Sequence, residues 1–458
     1  MRRLGLAGTV LGLAVALAAD GASAQTLQQA LALAYANNPS LLAARARLRA
    51  VDENVPQALS GWRPTVTVQS RAGAAEGSTR LRGVSRDDER GLFSASATLV
   101  QPLYRGGRTI AQIRRAENQV LAERANLIAV EQQVLFDAIT AYVNVIHDQE
   151  VLRLAENNVR VLERQLQAAR DRFRVGEITR TDVAQAEARL EGARAQRLAA
   201  LSELEVGRAV YERVIGEPPR ALIAPPPIRP VAASADEAAR LAESNNPQVL
   251  RAMFDEQAAI ANIDVIFGEL LPSVNLEASA FRNNNVAQEG TRTTGSQIVA
   301  ALSVPVFQGG QEHARVRQAK QEAARAREAV LEARRQSVET SRRAWETLTS
   351  TRAQITARQA QVRANEIALE GVQREALVGS RTTLDVLNAE QELLDSRVAL
   401  VRATRDLVVA SYALAATVGR LTARDLALPV TIYDPLEHYS ATRDRWFGTD
   451  LTVPRSGR

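Results

Sequence analysis

The chain contains no cysteine. That excludes disulfides, thiolate metal sites and an acylated N-terminal Cys, so a lipoprotein is not expected. Aromatic residues make up only 4% of 458, although hydrophobic residues reach 46%. A thick globular core is therefore not expected, and abundant Ala, Leu, Gln, Glu and Arg favour long, thinly packed helices. Lysine occurs once, as Lys320, and the arginines are interspersed with Glu and Asp. No basic patch interleaved with aromatics stands out, so nucleic acid is not an expected partner. The three histidines are His147, His313 and His438, and no HExxH, Walker or GxSxG pattern accompanies them. No catalytic residues, metal site or cofactor are expected from such a set. His147, near Asn144 and Asp148, reads as a packing or solvated side chain. Beyond the first twenty residues no apolar run is long enough for a membrane helix. A mature chain that crosses a bilayer must then do so as a closed β-barrel.

The first residues have the form of a secretory leader. Arg2 and Arg3 precede an apolar stretch from Leu4 to Ala19, and Ala22-Ser23-Ala24 supplies small-x-small before Gln25. Removing 1–24 takes Arg2, Arg3 and Asp20 from 57 basic and 52 acidic side chains, leaving +4.

Proline is missing from Leu103 through Glu217 and from Val306 through Leu428. Such spans suit uninterrupted helical hairpins, which a proline would break. They are also copies of one another. Asn37-Asn38-Pro39 recurs as Asn245-Asn246-Pro247, an offset of 208. Pro102-Leu103-Tyr104-Arg105-Gly106-Gly107 recurs as Pro305-Val306-Phe307-Gln308-Gly309-Gly310, an offset of 203. Val175-Gly176, Asp182-Val183 and Ala186-Glu187 match Val378-Gly379, Asp385-Val386 and Ala389-Glu390 at the second offset. One five-residue deletion between the positions of Pro64 and Pro102 reconciles the two. The chain is therefore a duplication. Its divisions are a leader (1–24), a first repeat (25–216), a linker and repeat start (217–246), a second repeat (247–419) and a partly disordered tail (420–458).

Each copy is expected to hold a helix of about twenty residues, two short extended segments, a helix of about 65 residues and a shorter return helix. At 1.5 Å per residue the long helix reaches roughly 100 Å. Its apolar seam has a period of seven through Ile113, Val120, Leu127, Val134 and Ala141. After a four-residue stutter it continues through Val145, Leu152, Val159, Leu166 and Phe173. Leu348, Ile355, Val362, Leu369 and Ala376 repeat the latter half. This is coiled-coil spacing.

The extended segments are Thr65–Ser70 and Phe93–Leu99, then Val274–Ser279 and Ile298–Val304, with polar loops at 72–91 and 282–296. With their flanks they approach the nine or ten residues of a tilted membrane strand. Small soluble hairpins capping the helices are the alternative. Four strands cannot enclose a lumen, and an open sheet in lipid leaves its edges unsatisfied, so membrane insertion demands several copies.

On these residues the layout resembles the TolC family of outer-membrane efflux and secretion proteins over roughly residues 26–430. The resemblance implies a mainly helical fold with β-strands, a homotrimer with one twelve-stranded outer-membrane β-barrel in lipid, and an α-barrel reaching into the periplasm. It implies a passive exit duct serving a periplasmic adaptor and an inner-membrane ABC or other transporter, with no enzyme activity. The tail, with Leu421–Leu426, Tyr433-Asp434-Pro435 and Trp446-Phe447, resembles the type I secretion branch. A periplasmic coiled-coil adaptor is the alternative function, although an adaptor would have one hairpin rather than two.

At each helical turn the long helix should end at Gly176 or Gly379 in a left-handed conformation. Thr179 or Thr382 should N-cap the return helix, with Asp182 or Asp385 completing a capping box. The family resemblance adds a periplasmic closure in which Arg381 links to Thr181 and Asp182. It also adds a selectivity ring at Asp385 and one turn later, where this chain has Asn388. The family's link-forming Tyr is Ala376 here.

Overall fold

The computed structural model describes residues 25–450 apart from residue 288. The leader assigned to 1–24 and the end of the tail, 451–458, lie outside the described residues.

The two longest helices are α4 (Arg108–Arg174) and α8 (Gln311–Leu377), each 67 residues. Both begin after the second glycine of the Gly-Gly pair, and their first residues are 203 apart. Return helices α5 (Arg180–Ile215) and α9 (Thr383–Thr417) are about half as long, so each coiled-coil hairpin closes only half of its long helix. The expected seam is buried at Val120, Leu127, Val134, Ala141, Val145, Val159 and Leu166. It ends at Phe173, which is 44% exposed beside the turn. No helix among the described residues is long and apolar enough to cross a membrane.

The other half of each long helix is covered by the short helices. These are α1 (Leu27–Asn37), α2 (Pro39–Asp52) and α3 (Asn54–Leu59) in the first copy, and α6 (Ala235–Asn245) and α7 (Pro247–Phe267) in the second. The opening helix expected in each copy is thus divided, and the Asn-Asn-Pro motif explains the break. Asn38 caps α2 by accepting from the Ser40 N–H, with Pro39 at the first helical position. Its Nδ2 donates to the Val214 carbonyl in the last turn of α5 at 2.9 Å. Asn246 repeats both bonds, to the Gln248 N–H and the Thr417 carbonyl, 203 residues beyond Val214. One side chain therefore starts a helix and ties it to the end of another. Asn246→Ala should lower stability by about 1–2 kcal/mol, read from the denaturant midpoint.

These ends meet at mid-height, where the largest core lies. Leu31, Leu41 and Leu48 pack there with Leu135, Ile139, Tyr142, Tyr211 and Ile215. Leu421, Ala423 and Leu428 wrap over the same cluster, so the segment after α9 belongs to this waist. Beyond it α10 (Pro435–Thr442) lies on α2, where His438 Nδ1 is 3.2 Å from the buried Asp52 carboxylate. Burial raises the Asp52 pKa against the opposing pull of His438.

The strands form one antiparallel sheet ordered β1 (Thr65–Leu81), β2 (Val84–Arg105), β3 (Ser273–Asn284) and β4 (Arg292–Ser303). The sequence reading placed loops at 72–91 and 282–296, and both are corrected. Pairing of β1 with β2 continues to Leu81↔Val84 around the turn at Arg82-Gly83, and the second loop shrinks to 285–291. Alternation in the outer first hairpin is weak because it is rich in Gly, Ala and charge, yet complete backbone pairing still makes it a ribbon. Strand β3 pairs with β2 only as far as Phe93↔Asn284, so the first hairpin projects beyond the four-stranded sheet.

Candidate functional site: the open sheet and the helical tips

Directly paired residues share a face of a sheet. Following the register across all four strands gives Val66, Leu99, Ala278 and Ile298 on one face, with Val68, Ala97, Ala280 and Ser296 beside them. The opposite face carries Thr67, Thr98, Ser279 and Gln297, then Gln69, Ser96, Phe281 and Gly295, and is mostly polar. The first face is apolar and stands free: Val66, Val68, Ile298 and Leu302 are 66%, 74%, 75% and 66% exposed. An apolar face opposite a polar one suits lipid outside and water inside. A strand of 12 residues spans about 40 Å, or roughly 28 Å when tilted by 45°, near the thickness of a hydrocarbon layer. Among the described residues both outer strands lack a partner, β1 along one side and β4 along the other.

Where strand meets helix, two backbones cross closely. Gly106 has φ +59, and a Cβ there would lie 2.5 Å from the Gly268 carbonyl oxygen and 2.7 Å from Leu271 Cβ. Gly309, its counterpart in the second copy, has φ +67 and nothing within 4 Å of such a Cβ. The motif repeats, but its packing partner is present only once.

The helical hairpins end far from the sheet in two matching turns. Gly176 and Gly379 both have φ +78, and the N–H groups of Glu177 and Ser380 bond back to Arg172 and Glu375. Thr179 and Thr382 cap α5 and α9, each in a reciprocal box with Asp182 or Asp385. The Thr179 and Thr382 N–H groups donate to these carboxylates at 2.9 Å and hold both pKa values below the ordinary Asp range. By sign, this capping contribution is present above the unfolded value and disappears as pH falls through the lowered one.

The remaining expected tip residues are placed as follows. Arg381 Nε donates to Glu375 at 2.9 Å within its own turn and makes no bond to Thr181 or Asp182 within the chain. Thr181 is exposed. Asn388 accepts from Arg189 at 2.8 Å, linking α5 to α9. Sequence reasoning missed Glu375 and Arg189, since a contact six residues back across a turn, or 199 residues away, has no local signature. It also missed the Gly106–Gly268 crossing. Its signal was the repeated Gly-Gly pair, but only packing reveals why a side chain is forbidden.

An amphipathic open sheet joined to helical hairpins of this length defines a subunit of an outer-membrane channel that extends into the periplasm. The outer membrane efflux protein family matches the chain twice, over residues 30–209 and 238–420, one match for each copy of the duplication. The chain belongs to that family. It is 38% identical to the outer membrane efflux protein BepC of Brucella suis, over 97% of this chain and 96% of that protein. It is 25% identical to the alkaline protease secretion protein AprF of Pseudomonas aeruginosa, over 76% of this chain and 74% of the other. Its fold is similar to the Campylobacter jejuni CmeC outer membrane channel, with a TM-score of 0.77 at 16% identity, covering 91% and 89% of the two chains. The protein is an outer-membrane exit duct of the TolC type, not a periplasmic adaptor.

Proposed function

We propose that three copies close into one passive conduit and that the neighbour repeats an interface already made inside each chain. The carrying observation is the unequal environment of two equivalent glycines. Inside the chain, the end of β2 and the start of α4 pack on the turn after α7, and β2 pairs with β3. The second copy presents the same surface on β4 and α8, and none of the described residues receives it. By the offsets, Ser60 through Arg63 of the next copy correspond to Gly268 through Leu271. Strand β1 of that copy then corresponds to β3. Two copies would give eight strands, an interior that side chains fill, whereas three give twelve and leave a lumen.

The register transfers as well. Ala97 pairs with Ala280 inside the chain, so Ala300 should face Ala72 of the next copy. Paired Cα atoms lie about 4.5–5.5 Å apart, within disulfide range. A chain carrying Ala300→Cys and Ala72→Cys, in an otherwise cysteine-free background, should form a covalent trimer on non-reducing gels. Monomers under oxidation, or a covalent dimer alone, would refute the arrangement.

The conduit has no catalytic part in this reading: the tunnel is a surface of interspersed Arg, Glu and Gln, and substrate choice rests with the partners. Those partners are a periplasmic adaptor and an inner-membrane transporter. Names among the relatives, one an efflux protein and one a protease secretion protein, support both efflux and secretion as duties.

The turns form the narrow end. Arg381 exchanges its Glu375 partner for Thr181 and Asp182 of the facing turn when the tip is closed, and Asp385 selects cations as a threefold ring. Arg381→Ser combined with Asp182→Ala should raise single-channel conductance severalfold, and Asp385→Ala should reduce cation preference. Unchanged conductance removes the closure, and unchanged selectivity removes the ring.

A further inference from the structure

Gln25 sits at the waist core, bonded to Tyr142 and Tyr211. It is 6% exposed. Its N–H donates to the Ala221 carbonyl at 2.7 Å, and its carbonyl accepts from the Ile223 N–H at 3.3 Å and from the Tyr142 hydroxyl at 2.7 Å. Its Oε1 accepts from the Tyr211 hydroxyl at 2.9 Å. Among the described residues, Nε2 is the one polar atom of Gln25 with no hydrogen-bond partner.

Leader removal after Ala24 changes the chemistry of this place. The amide nitrogen, which donates to the Ala221 carbonyl, becomes an α-ammonium carrying two more N–H groups beside the Tyr142 and Tyr211 hydroxyls. Burial of an unpaired ion is disfavoured. Glu217 lines the adjoining groove, but so does Arg220, and the two are 3.6 Å apart as an ion pair.

We propose that Gln25 is a modification site, cyclised to pyroglutamate once the leader is cut, and that the lactam is the form the waist encloses. The inference rests on the leader ending at Ala24. In the step, the neutral α-amine attacks Cδ. The N–Cδ bond forms, the Cδ–Nε2 bond breaks, and ammonia departs with the proton that the amine gives up. No oxidant, reductant or co-reactant is needed. The lactam keeps one N–H for Ala221 and the former Oε1 as acceptor for Tyr211. The atom expelled is the unpartnered Nε2, and the terminal charge is removed.

The test is intact mass and N-terminal peptide sequencing on the protein extracted from outer membranes. The expected product is residues 25–458 lighter by one ammonia, with a blocked first residue. A chain starting at Gln25 with a free amine overturns cyclisation. A chain starting elsewhere overturns the premise and the proposal with it. Because this reading uses the unaltered protein, it does not depend on any variant folding. As a second measurement, Gln25→Asn keeps an amide one methylene too short for the five-membered ring. It should leave a free amine and lower the Tm of the oligomer. A Gln25→Asn variant with a free amine and an unchanged Tm would show that the waist does not require the lactam.

Discussion

Ile298→Arg should abolish the folded oligomer, while Gln297→Arg, one residue away, should leave it intact. The two positions lie at the centre of β4 with opposite faces. Ile298 shares its face with Ala278, Leu99 and Val66, and Gln297 shares the other with Ser279, Thr98 and Thr67. Arginine on the lipid side of a barrel costs about 2–4 kcal/mol near the bilayer midplane. In a trimer the cost is incurred three times, comparable to the net stability of many folded proteins. On the water side the guanidinium stays hydrated. Heat-modifiable migration on gels and recovery in the outer-membrane fraction read the difference. Equal behaviour of the two variants would mean that the sheet does not face lipid on its apolar side.

Gly106→Ala should destabilise the protein by roughly 2–5 kcal/mol, from a left-handed conformation forced on a side chain plus overpacking. The obstruction is the Gly268 carbonyl and Leu271 Cβ, which cannot swing aside as the end of a long side chain would. Gly309→Ala is the more informative partner experiment. In an isolated chain it meets nothing, and only the conformational part, about 1–2 kcal/mol, applies. If the neighbour's Ser60 through Arg63 occupy the equivalent place, its cost approaches that of Gly106→Ala. Guanidinium melts of the purified oligomer measure both, and a Gly309 variant confined to the smaller loss would place that surface outside the assembly.

Much of the architecture was legible because it is written in periodic or punctuating residues. Proline-free spans and the seven-residue seam located α4 and α8 to within a few residues. Gly176, Thr179 and Asp182, with Gly379, Thr382 and Asp385, marked the tips because left-handed glycine and capping boxes are local chemistry. The hairpin ends were not legible. Residues 73–81 and 84–92 hold Gly, Ser and charge, and backbone pairing, which side-chain patterns only loosely report, makes them strand. The partners of Arg381 and Asn388 were likewise hidden, since each depends on which helical turn faces which.

The sequence by itself determined the duplication, the lengths of the two longest helices, the turn chemistry and the need for a closed barrel. Each follows from local conformational preference or from the requirement that backbone groups in lipid be satisfied within the protein. Tertiary structure decided the rest. It set which face of the sheet is apolar across all four strands and seated the segment after α9 in the waist core. It enclosed Gln25 and gave Gly106 a partner while leaving Gly309 without one. Those outcomes depend on distant segments meeting in three dimensions, and no period or motif encodes that meeting.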